Sequence, residues 1–328
     1  MRHRSPSERR CSYLVVLENA SSSAAELRDL AAYLSEIAVL NFEVIVVDGS
    51  APEARDANRR VLRWVGRHIA AGPQHLGPFG NVDAVRAAID LSSCDKVIVA
   101  DAHIRYSQNA LDDLTTLLEL HEVVEPQDYF DPLPWWGGIE AGRILVHRSI
   151  SPLPDHGSTF GFRKRAVRGL RSIDPTAAAH DYVRRFASQG AEVFTSMRLF
   201  VRRIPPAFSD WIRELPRRAD EEFAVPAKAA LFIMLLPAII GVALTGGVRM
   251  AGVCAAAIAF LSIALALRGR IGAGRFFPWR ACFFAPLWIL QCSVSIYFAL
   301  LWRVSGAGEL RRMPISVRAD GEQVATGK

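Results

Sequence analysis

Three uncharged apolar stretches near the C-terminus constrain this chain more than any other feature. They cover residues 229–247, 250–267 and 281–302 of 328. Each is close to the roughly 20 residues that an α-helix needs to cross the hydrocarbon core of a bilayer. A buried helix of a soluble protein would carry a polar stripe, and none of the three does. The sequence therefore predicts a transmembrane region over residues 226–303 and a basic polar tail over residues 304–328.

Basic residues predict the orientation of these segments. The first connection holds only Arg249, whereas the second holds four arginines: Arg268, Arg270, Arg275 and Arg280. Because basic loops stay on the cytoplasmic side, the second connection and the domain that precedes the segments are predicted to be cytosolic. Three full crossings would leave the basic tail outside. Either the charge rule fails there, or the segment around "RFFPWRACFFAP" lies in the membrane interface, and the sequence leaves both open.

The rest of the sequence limits the kinds of ligand and the cellular location that we expect for this chain. The basic N-terminal tail, residues 1–11, precedes an apolar run that stops at Glu18, which is too short for a signal peptide. The five cysteines show no metal-ligand spacing. The net charge is +6, and the basic cluster at 163–171 is interpreted as a surface beside anionic lipid, not as a nucleic-acid site. We therefore expect a multi-pass protein of the inner (plasma) membrane.

Residues 12–225 are predicted to form one cytosolic α/β domain. Short apolar runs indicate buried strands at 12–18, 42–50 and 96–100. Amphipathic patterns indicate helices at 23–39, 52–68, 81–91 and 108–120. Strands that are apolar on both faces and are followed by helices favour a parallel sheet that is covered on both sides.

Acidic residues stand where the predicted strands end. These residues are Glu18, Asp48 and Asp101. In open α/β sheets, ligands bind beyond the carboxyl ends of the strands. One carboxylate there can accept a hydrogen bond from a base or ribose, and another can hold a divalent cation on a pyrophosphate. The chain has neither a P-loop nor a GxGxxG motif, so neither of these nucleotide-binding sites is an alternative explanation for the acidic strand ends.

An ordered set of segments resembles a known family. The segments are "YLVVLENA", "FEVIVVDGS", "VIVADAHIRYSQNALDDL", "VVEPQDYFDPLPWWGGIEAGRILVHRSI" and "HGSTFGFRKRAV". In this order, ahead of membrane segments, they look like family-2 glycosyltransferases, which are inverting enzymes with a GT-A fold. The most similar subgroup is bacterial and membrane-anchored. The resemblance implies a GT-A-like (Rossmann-like) mixed sheet with helices on both faces, followed by a C-terminal transmembrane helical region.

The resemblance also implies roles for individual residues. Asp48 matches the aspartate that reads the nucleotide base, and Glu18 lies where the first strand meets the nucleotide. Asp101 matches the start of the metal motif, whose carboxylates hold Mg²⁺ or Mn²⁺ on the donor diphosphate. Asp181 matches the carboxylate that removes the proton of the acceptor hydroxyl. Weaker candidates for that base are Asp155 and Asp174.

The metal motif departs from the family pattern. The subgroup carries three carboxylates where this chain has Asp101, Ala102 and His103. In one register His103 replaces the second acid of an Asp-x-Asp pair and binds the cation through neutral imidazole, which favours Mn²⁺ over Mg²⁺. In the other register Asp101 is the second acid and His103 is a loop residue. The sequence leaves both registers open.

The implied function is sugar transfer at a membrane. The resemblance predicts a hexosyltransferase-type enzyme that moves a sugar with inversion from a nucleotide-sugar donor to a lipid-linked or envelope-glycan acceptor, in polysaccharide or glycolipid biosynthesis. The alternative is a catalytically weak or silent member that serves as an assembly partner in envelope-glycan synthesis. The absence of a Gln-x-x-Arg-Trp motif before the membrane segments favours that alternative. A nucleotidyltransferase is disfavoured because no glycine-rich, lysine-bearing loop follows the first strand.

Two adjacent tryptophans are candidates for the acceptor side. Trp135 and Trp136 stand in "DPLPWWGG", which we interpret as a loop. In a structural role they are buried or lie at the membrane surface. In a functional role they stack on a sugar ring or guide a lipid, and the sequence leaves both roles open.

Overall fold

The computed structural model describes residues 9–17, 23–50, 52–70, 82–150, 158–167, 183, 186–187, 190–213, 215 and 226–304. These residues fall into two compact units. The first, here called the sheet unit, draws them from Met1–Asp128 and His156–Arg203, and the second, the helical unit, from Tyr129–Asp155 and Ile204–Met313. The segment from Tyr129 to Asp155 thus groups with the C-terminal helices, and the sequence-based domain limits at residues 225 and 303 stay predictions.

Four parallel strands form the first half of the sheet. They are β1 (Cys11–Leu17), β2 (Phe42–Asp48), β3 (Arg67–Ala70) and β4 (Lys96–Asp101), in the spatial order β3-β2-β1-β4. Every residue of β1 and β2 is buried. Burial on both faces explains why these strands read as unbroken apolar runs in the sequence.

The second half of the sheet is antiparallel in part. It comprises β5 (Ile104–Arg105), β6 (Val123–Phe130), β7 (Thr159–Arg163) and β8 (Val193–Arg203), and the full order is β3-β2-β1-β4-β7-β6-β8-β5. β7 runs antiparallel to both β4 and β6, and β5 runs antiparallel to β8. The predicted mixed sheet is therefore confirmed.

Helices cover both faces of this sheet. They are α1 (Ala24–Val39), α2 (Pro52–Leu62), α3 (Val82–Leu91) and α4 (Gln108–Leu120). Leu34 of α1 and Leu111 of α4 pack into the apolar cluster on one face. Ile89 of α3 packs into the cluster on the other face. Ser23 and Ser107 cap α1 and α4 through their side chains, as serine at this position is suited to do.

One local prediction was wrong, and another was confirmed for all but two residues. The helix expected to reach residue 68 ends at Leu62, because Arg67–Ala70 pairs with β2 as an edge strand. The segment interpreted as a loop around "DPLPWWGG" is short. It joins β6 to a helix, α5 (Gly137–Ile150), whose first two residues are Gly137 and Gly138.

Two long helices of the helical unit follow α5 in the part of the chain that the structure describes. They are α6 (Pro226–Gly269) and α7 (Ala285–Val304), with a 3-10 helix at Trp279–Phe284 between them. Within α6, Gly247 has φ 82° and ψ 164°. Only glycine adopts this conformation readily, so the helix breaks there into two halves, residues 226–246 and 248–269. Each half is about 30 Å long at about 1.5 Å per residue.

The two halves of α6 form a hairpin. The peptide oxygen of Gly269, at the end of the second half, accepts a hydrogen bond from Nε of Arg148 on α5 at 3.0 Å. Phe232, in the first half, contacts Trp288, which also contacts His147 on α5. Both the beginning and the end of α6 therefore lie beside the same end of α5, so the chain turns back at Gly247.

The apolar residues of this hairpin face outward. Two helices, over Lys228–Gly269 and Trp279–Leu301, are long and apolar enough to span a membrane. Only 17% and 33% of their most apolar windows are buried. Leu244 and Val248, which flank the break, are each 82% exposed. The core helix of a soluble protein buries such residues, so this surface needs an apolar environment.

Candidate functional site

The register of the parallel strands brings two predicted site residues to one edge of the sheet. β1 lies between β2 and β4, with Leu17 opposite Asp48 and Val16 opposite Asp101. Neighbouring strands are about 4.8 Å apart, so the two aspartates flank the carboxyl end of β1 about two strand spacings from each other. The acidic strand ends therefore share one edge, as the parallel arrangement requires.

Asp48 is fully buried and is bonded on both carboxylate oxygens. Oδ1 accepts a hydrogen bond from the backbone N–H of Ser50 at 2.9 Å. Oδ2 accepts one from Nδ2 of Asn58 at 3.1 Å and lies 3.2 Å from Nε2 of His68. Burial alone would raise the pKa of Asp48, but the contacts with His68, Ser50 and Asn58 outweigh it and lower the pKa to about 2. The carboxylate is thus ionised, and it joins β2, α2 and β3.

Asp101 closes a tight turn at the end of β4. Its Oδ1 accepts a hydrogen bond from the backbone N–H of His103 at 2.9 Å. An aspartate that bonds two residues ahead in this way stabilises the turn by itself. The backbone N–H of Asp101 also donates to the peptide oxygen of Ser158 at 3.1 Å. Both contacts fix the aspartate at the sheet edge while its side chain stays partly exposed.

Arg105 holds the same turn from the other side. Its Nη1 donates to the peptide oxygen of Ala102 at 2.6 Å, and its Nη2 donates to Oδ2 of Asp29 at 2.8 Å. The guanidinium lies over the ring of Tyr33, 4.8 Å from its centroid. Tyr33 in turn accepts the backbone N–H of Tyr106 at 2.9 Å. The turn from Asp101 onward is therefore anchored on α1.

The donor set suits a divalent cation that a diphosphate helps to hold. Asp101 supplies a carboxylate and His103 an imidazole two residues later, both partly exposed. A carboxylate suits either Mg²⁺ or Mn²⁺, and imidazole favours Mn²⁺. Among the described residues no group of three or more His, Cys, Asp or Glu side chains gathers in a metal-ligand arrangement. A cation at this turn would therefore take most of its ligands from the diphosphate and water.

Sequence reasoning missed three polar residues on β6. Glu125, Gln127 and Asp128 are buried in the described structure. Val97 and Val123 both pair with Phe162, so β4 and β6 run in the same direction on either side of β7. Asp128 lies 3.5 Å from Nη1 of Arg203 on β8. The signal was the polar "EPQD" that follows two valines in the sequence.

Two predicted residues lie outside the part of the chain that the structure describes. These are Glu18, assigned to the nucleotide, and Asp181, assigned as the base. The weaker base candidates Asp155 and Asp174 also lie outside it. Their roles stay predictions.

The two tryptophans occupy different environments in the helical unit. Trp136 is only 4% exposed and contacts the rings of Phe130 and Trp211 at 5.5 and 5.1 Å between centroids. Trp135 is 71% exposed and contacts only the ring of Phe208 among the described aromatic side chains, at 5.0 Å. Trp136 therefore belongs to an aromatic core, whereas Trp135 is accessible to a ligand or a membrane.

Comparison with known structures agrees on the fold. A mannosyltransferase from Pyrobaculum calidifontis, solved with GDP-Man and Mn²⁺, matches 89% of this chain and 88% of its own, with a TM-score of 0.51 at 18% identity. The inositol-1-phosphate CTP transferase of T. maritima matches 61% of this chain and 91% of its own, with a TM-score of 0.41 at 14% identity. Glucosyl-3-phosphoglycerate synthase of Mycobacterium tuberculosis, solved with Mn²⁺ and UDP, matches 62% and 75%, with a TM-score of 0.40 at 14% identity.

One of these similarities, that to the mannosyltransferase, supports the fold class. Together with the mixed sheet and its flanking helices, the match to the mannosyltransferase shows a GT-A-like fold. No family model and no curated protein matches the chain.

Proposed function

We propose that this protein is a membrane-anchored, inverting glycosyltransferase of family 2. It transfers a sugar from a nucleotide-sugar donor to a lipid-linked or envelope-glycan acceptor. The observation that carries the proposal is the placement of Asp48 and Asp101 on either side of β1, at the carboxyl edge of a GT-A-like sheet. This is the edge where α/β sheets bind their ligands. The ordered sequence segments support the same family.

The proposed roles of Asp48, Asp101, His103 and Arg105 draw on their geometry, and those of Glu18 and Asp181 rest on the family resemblance alone. Asp101 and His103 would hold Mn²⁺ or Mg²⁺ on the donor diphosphate, where the cation would supply positive charge beside the departing nucleotide. Arg105 keeps their turn in place through Ala102. Asp48 is bonded on both oxygens, so in this proposal it shapes the base site through the β2–α2 turn. Glu18 borders the nucleotide, and Asp181 is the base.

Membrane attachment is the second part of the proposal. The two halves of α6 and then α7 cross the bilayer, which puts the arginine-rich connection at residues 270–280 on the cytosolic side with the sheet unit. Within that connection, Nε of Arg270 donates to the peptide oxygen of Phe277 at 2.8 Å and so closes a compact turn. The protein is then a multi-pass protein of the inner membrane with its site in the cytosol.

Donor binding tests the enzyme proposal. Purified protein in detergent is titrated with UDP-, GDP- and dTDP-sugars, with and without Mn²⁺, by calorimetry. We expect one donor class to bind with Mn²⁺, and Asp101→Ala to weaken it about tenfold or more, which corresponds to at least about 1.4 kcal/mol. Asp95→Asn is the matched control, because Asp95 is exposed near the opposite end of β4. If no donor binds and Asp101→Ala keeps full biological function, the proposal fails.

The role of His103 has its own test. If His103 is a ligand, His103→Asp replaces a borderline ligand by a hard one, so activity with Mg²⁺ should rise relative to activity with Mn²⁺. An unchanged metal preference assigns His103 to the turn alone.

One observation favours a silent assembly partner as the second candidate. Within the described residues the metal site offers only one carboxylate and one imidazole, and Asp48 is fully occupied by internal bonds. Donor binding without turnover across lipid and glycan acceptors would select this candidate over the enzyme.

A further inference from the structure

Tyr106 lies at the far end of the turn that carries Asp101 and His103. It follows β5 directly and precedes Ser107, the cap of α4. Only 5% of Tyr106 is exposed, and its side chain belongs to the apolar cluster that α1 and α4 cover. A hydroxyl that is buried this deeply needs a hydrogen-bond partner, so its contacts indicate which parts of the sheet unit it holds together.

The hydroxyl of Tyr106 is bonded to Thr159, the first residue of β7. The two hydroxyl oxygens are 2.8 Å apart. Oγ1 of Thr159 also donates to the peptide oxygen of Val99 on β4 at 2.7 Å. Because a hydroxyl carries one proton, Thr159 is the acceptor in the first bond and Tyr106 is the donor. Thr159 pairs with Ala100, which precedes Asp101, so this bond ties the end of the turn to the place where the turn begins.

The backbone of Tyr106 is held by a second tyrosine. Its N–H donates to the hydroxyl oxygen of Tyr33 on α1 at 2.9 Å. That oxygen lies 3.2 Å from the hydroxyl of Tyr13 on β1, which is fully buried. The rings of Tyr13 and Tyr106 also meet edge to face, with 6.1 Å between their centroids. Tyr106 is therefore fixed through both its backbone and its side chain.

These contacts close the turn at both ends. At its beginning the backbone N–H of Asp101 donates to the peptide oxygen of Ser158, and at its end Tyr106 is bonded to Thr159. Both proposed cation ligands, Asp101 and His103, belong to the segment between these bonds. Holding a short segment at both ends removes conformations that it would otherwise lose when the cation binds. A site with only two protein ligands depends strongly on such preorganisation.

We propose that Tyr106 is a positioning residue for the cation site. Its hydroxyl acts through Thr159 and keeps the carboxylate of Asp101 and the imidazole of His103 in the arrangement that binds Mn²⁺ or Mg²⁺ on a diphosphate. The proposal rests on the function proposed above, and it adds to that site a hydroxyl pair between residues 53 apart in the sequence.

Binding of Mn²⁺ with a nucleoside diphosphate tests the role of the hydroxyl pair. The full-length protein in detergent is titrated with Mn²⁺ in the presence of UDP, GDP or dTDP, and free Mn²⁺ is measured by its electron paramagnetic resonance signal. Tyr106→Phe keeps the ring and removes the hydroxyl, so it should weaken Mn²⁺ binding about three- to tenfold. Thr159→Val should do the same. The double variant should bind no more than about twofold more weakly than either single variant, because both changes remove one bond. Thr159→Ser keeps a hydroxyl and should recover most of the affinity that Thr159→Val loses.

A matched control separates positioning from a general loss of stability. Thr115 is also buried, and its hydroxyl donates to the peptide oxygen of Asp112 in its own helix at 2.9 Å. Thr115→Val should therefore change Mn²⁺ affinity less than twofold. Hydrogen exchange of the metal-free protein gives a second readout: residues 101–106 should exchange faster in Tyr106→Phe and at the wild-type rate in Thr115→Val. Equal Mn²⁺ affinity of wild type and Tyr106→Phe overturns the proposal, as does unchanged exchange of the turn.

Failure of the positioning role and failure of the enzyme proposal can be told apart. If wild type binds Mn²⁺ with one of the diphosphates, Asp101→Ala weakens that binding and Tyr106→Phe does not, only the positioning role fails. If wild type binds no Mn²⁺ with any of the three diphosphates, both proposals fail. If the melting temperature shows that Tyr106→Phe does not fold, Thr159→Val breaks the same bond from β7 and decides the proposal.

Discussion

The sheet unit buries its large apolar side chains, whereas the helical unit exposes many of its own. In the sheet unit, Ile45, Ile98 and Phe162 are fully buried between strands and helices. In the helical unit, Leu244, Val248 and Phe260 are among the most exposed side chains of the described structure. Water drives the first set inward, whereas the second set is stable outside only if its surroundings are apolar.

The polar residues show the complementary difference. The sheet unit keeps its charges at the strand ends, where Asp48 and Asp101 lie at one edge. The helical unit keeps Glu140, Arg143 and His147 on α5, inside the contact with its long helices. Asp101 is partly exposed at its edge, whereas the ion pair of Glu140 and Arg143 is largely withdrawn from solvent.

Placing the same charge on an exposed apolar site of each unit tests whether the two surfaces face different environments. Phe260 is 75% exposed near the middle of the second half of α6, and Leu120 is 70% exposed at the end of α4. Phe260→Lys should cost about 2.5–3.5 kcal/mol of membrane insertion, as lysine does at the centre of a spanning helix. Leu120→Lys should stay within about 0.5 kcal/mol, because exposed substitutions in water have small effects.

Extraction of membranes with alkaline carbonate measures this difference. Wild type and Leu120→Lys should stay in the membrane pellet, and Phe260→Lys should be partly released or degraded. If Phe260→Lys remains fully in the pellet at normal abundance, Phe260 faces protein or water in the cell, and the contrast between the units disappears.

The sequence predicted the parallel half of the fold better than the rest. β1, β2 and β4 are apolar on both faces, and α1 and α4 carry capping serines, so local pattern was enough for each. β3 is the four-residue segment "RHIA", too short and polar for a periodic signal. β6 contains Pro126, which argues against a strand, and its pairing depends on β7 more than thirty residues later. Such nonlocal pairing has no local signature.

The same limit explains what was missed at the candidate site. The strand-end rule predicted that Asp48 and Asp101 share an edge, because it needs only strand direction. It could not predict that His68 lies 3.2 Å from Asp48, since His68 is on the strand that the sequence did not reveal. Nor could it predict that Arg105 holds the turn of Asp101 by bonding to Ala102 and Asp29, a contact between residues 76 apart.

The space around one glycine in each unit shows how tightly that unit packs. A Cβ on Gly142 of α5 would lie 2.8 Å from the backbone nitrogen of Ala285, whereas one on Gly161 of β7 would lie 3.0 Å from a methyl of Leu118. Backbone cannot move aside as a side chain can, so Gly142→Ala should cost about 1–3 kcal/mol and Gly161→Ala less. Thermal unfolding in detergent, followed by tryptophan fluorescence, should show a larger drop in midpoint for Gly142→Ala than for Gly161→Ala. Equal midpoints would mean that α5 is loosely held.

Acid should weaken the sheet unit through Asp48. The folded pKa of Asp48 is about 2, below its usual 3.8, so the ionised form contributes stability above about pH 4 and loses it as the pH falls toward 2. Asp48→Asn should therefore cost about 2 kcal/mol at pH 7 and progressively less below pH 4. Urea unfolding at several pH values measures this. Asp95→Asn, at an exposed position, is measured alongside as the control. A pH-independent deficit in Asp48→Asn would assign its effect to packing.

The smallest expected effect concerns how the helices begin. In the sheet unit, Ser23 accepts the backbone N–H of Glu26, and the Glu26 carboxylate accepts that of Ser23 in return. The 3-10 helix that leads into α7 follows Pro278 without a side-chain cap. Ser23→Ala should cost about 1 kcal/mol, with faster hydrogen exchange confined to the first turn of α1. Ser35→Ala in the same helix is the matched control: Ser35 bonds back to Ala31 at 2.7 Å, so alanine there should be neutral or slightly stabilising. The opposite order of the two variants would show that α1 is held by its buried leucines and not by its cap.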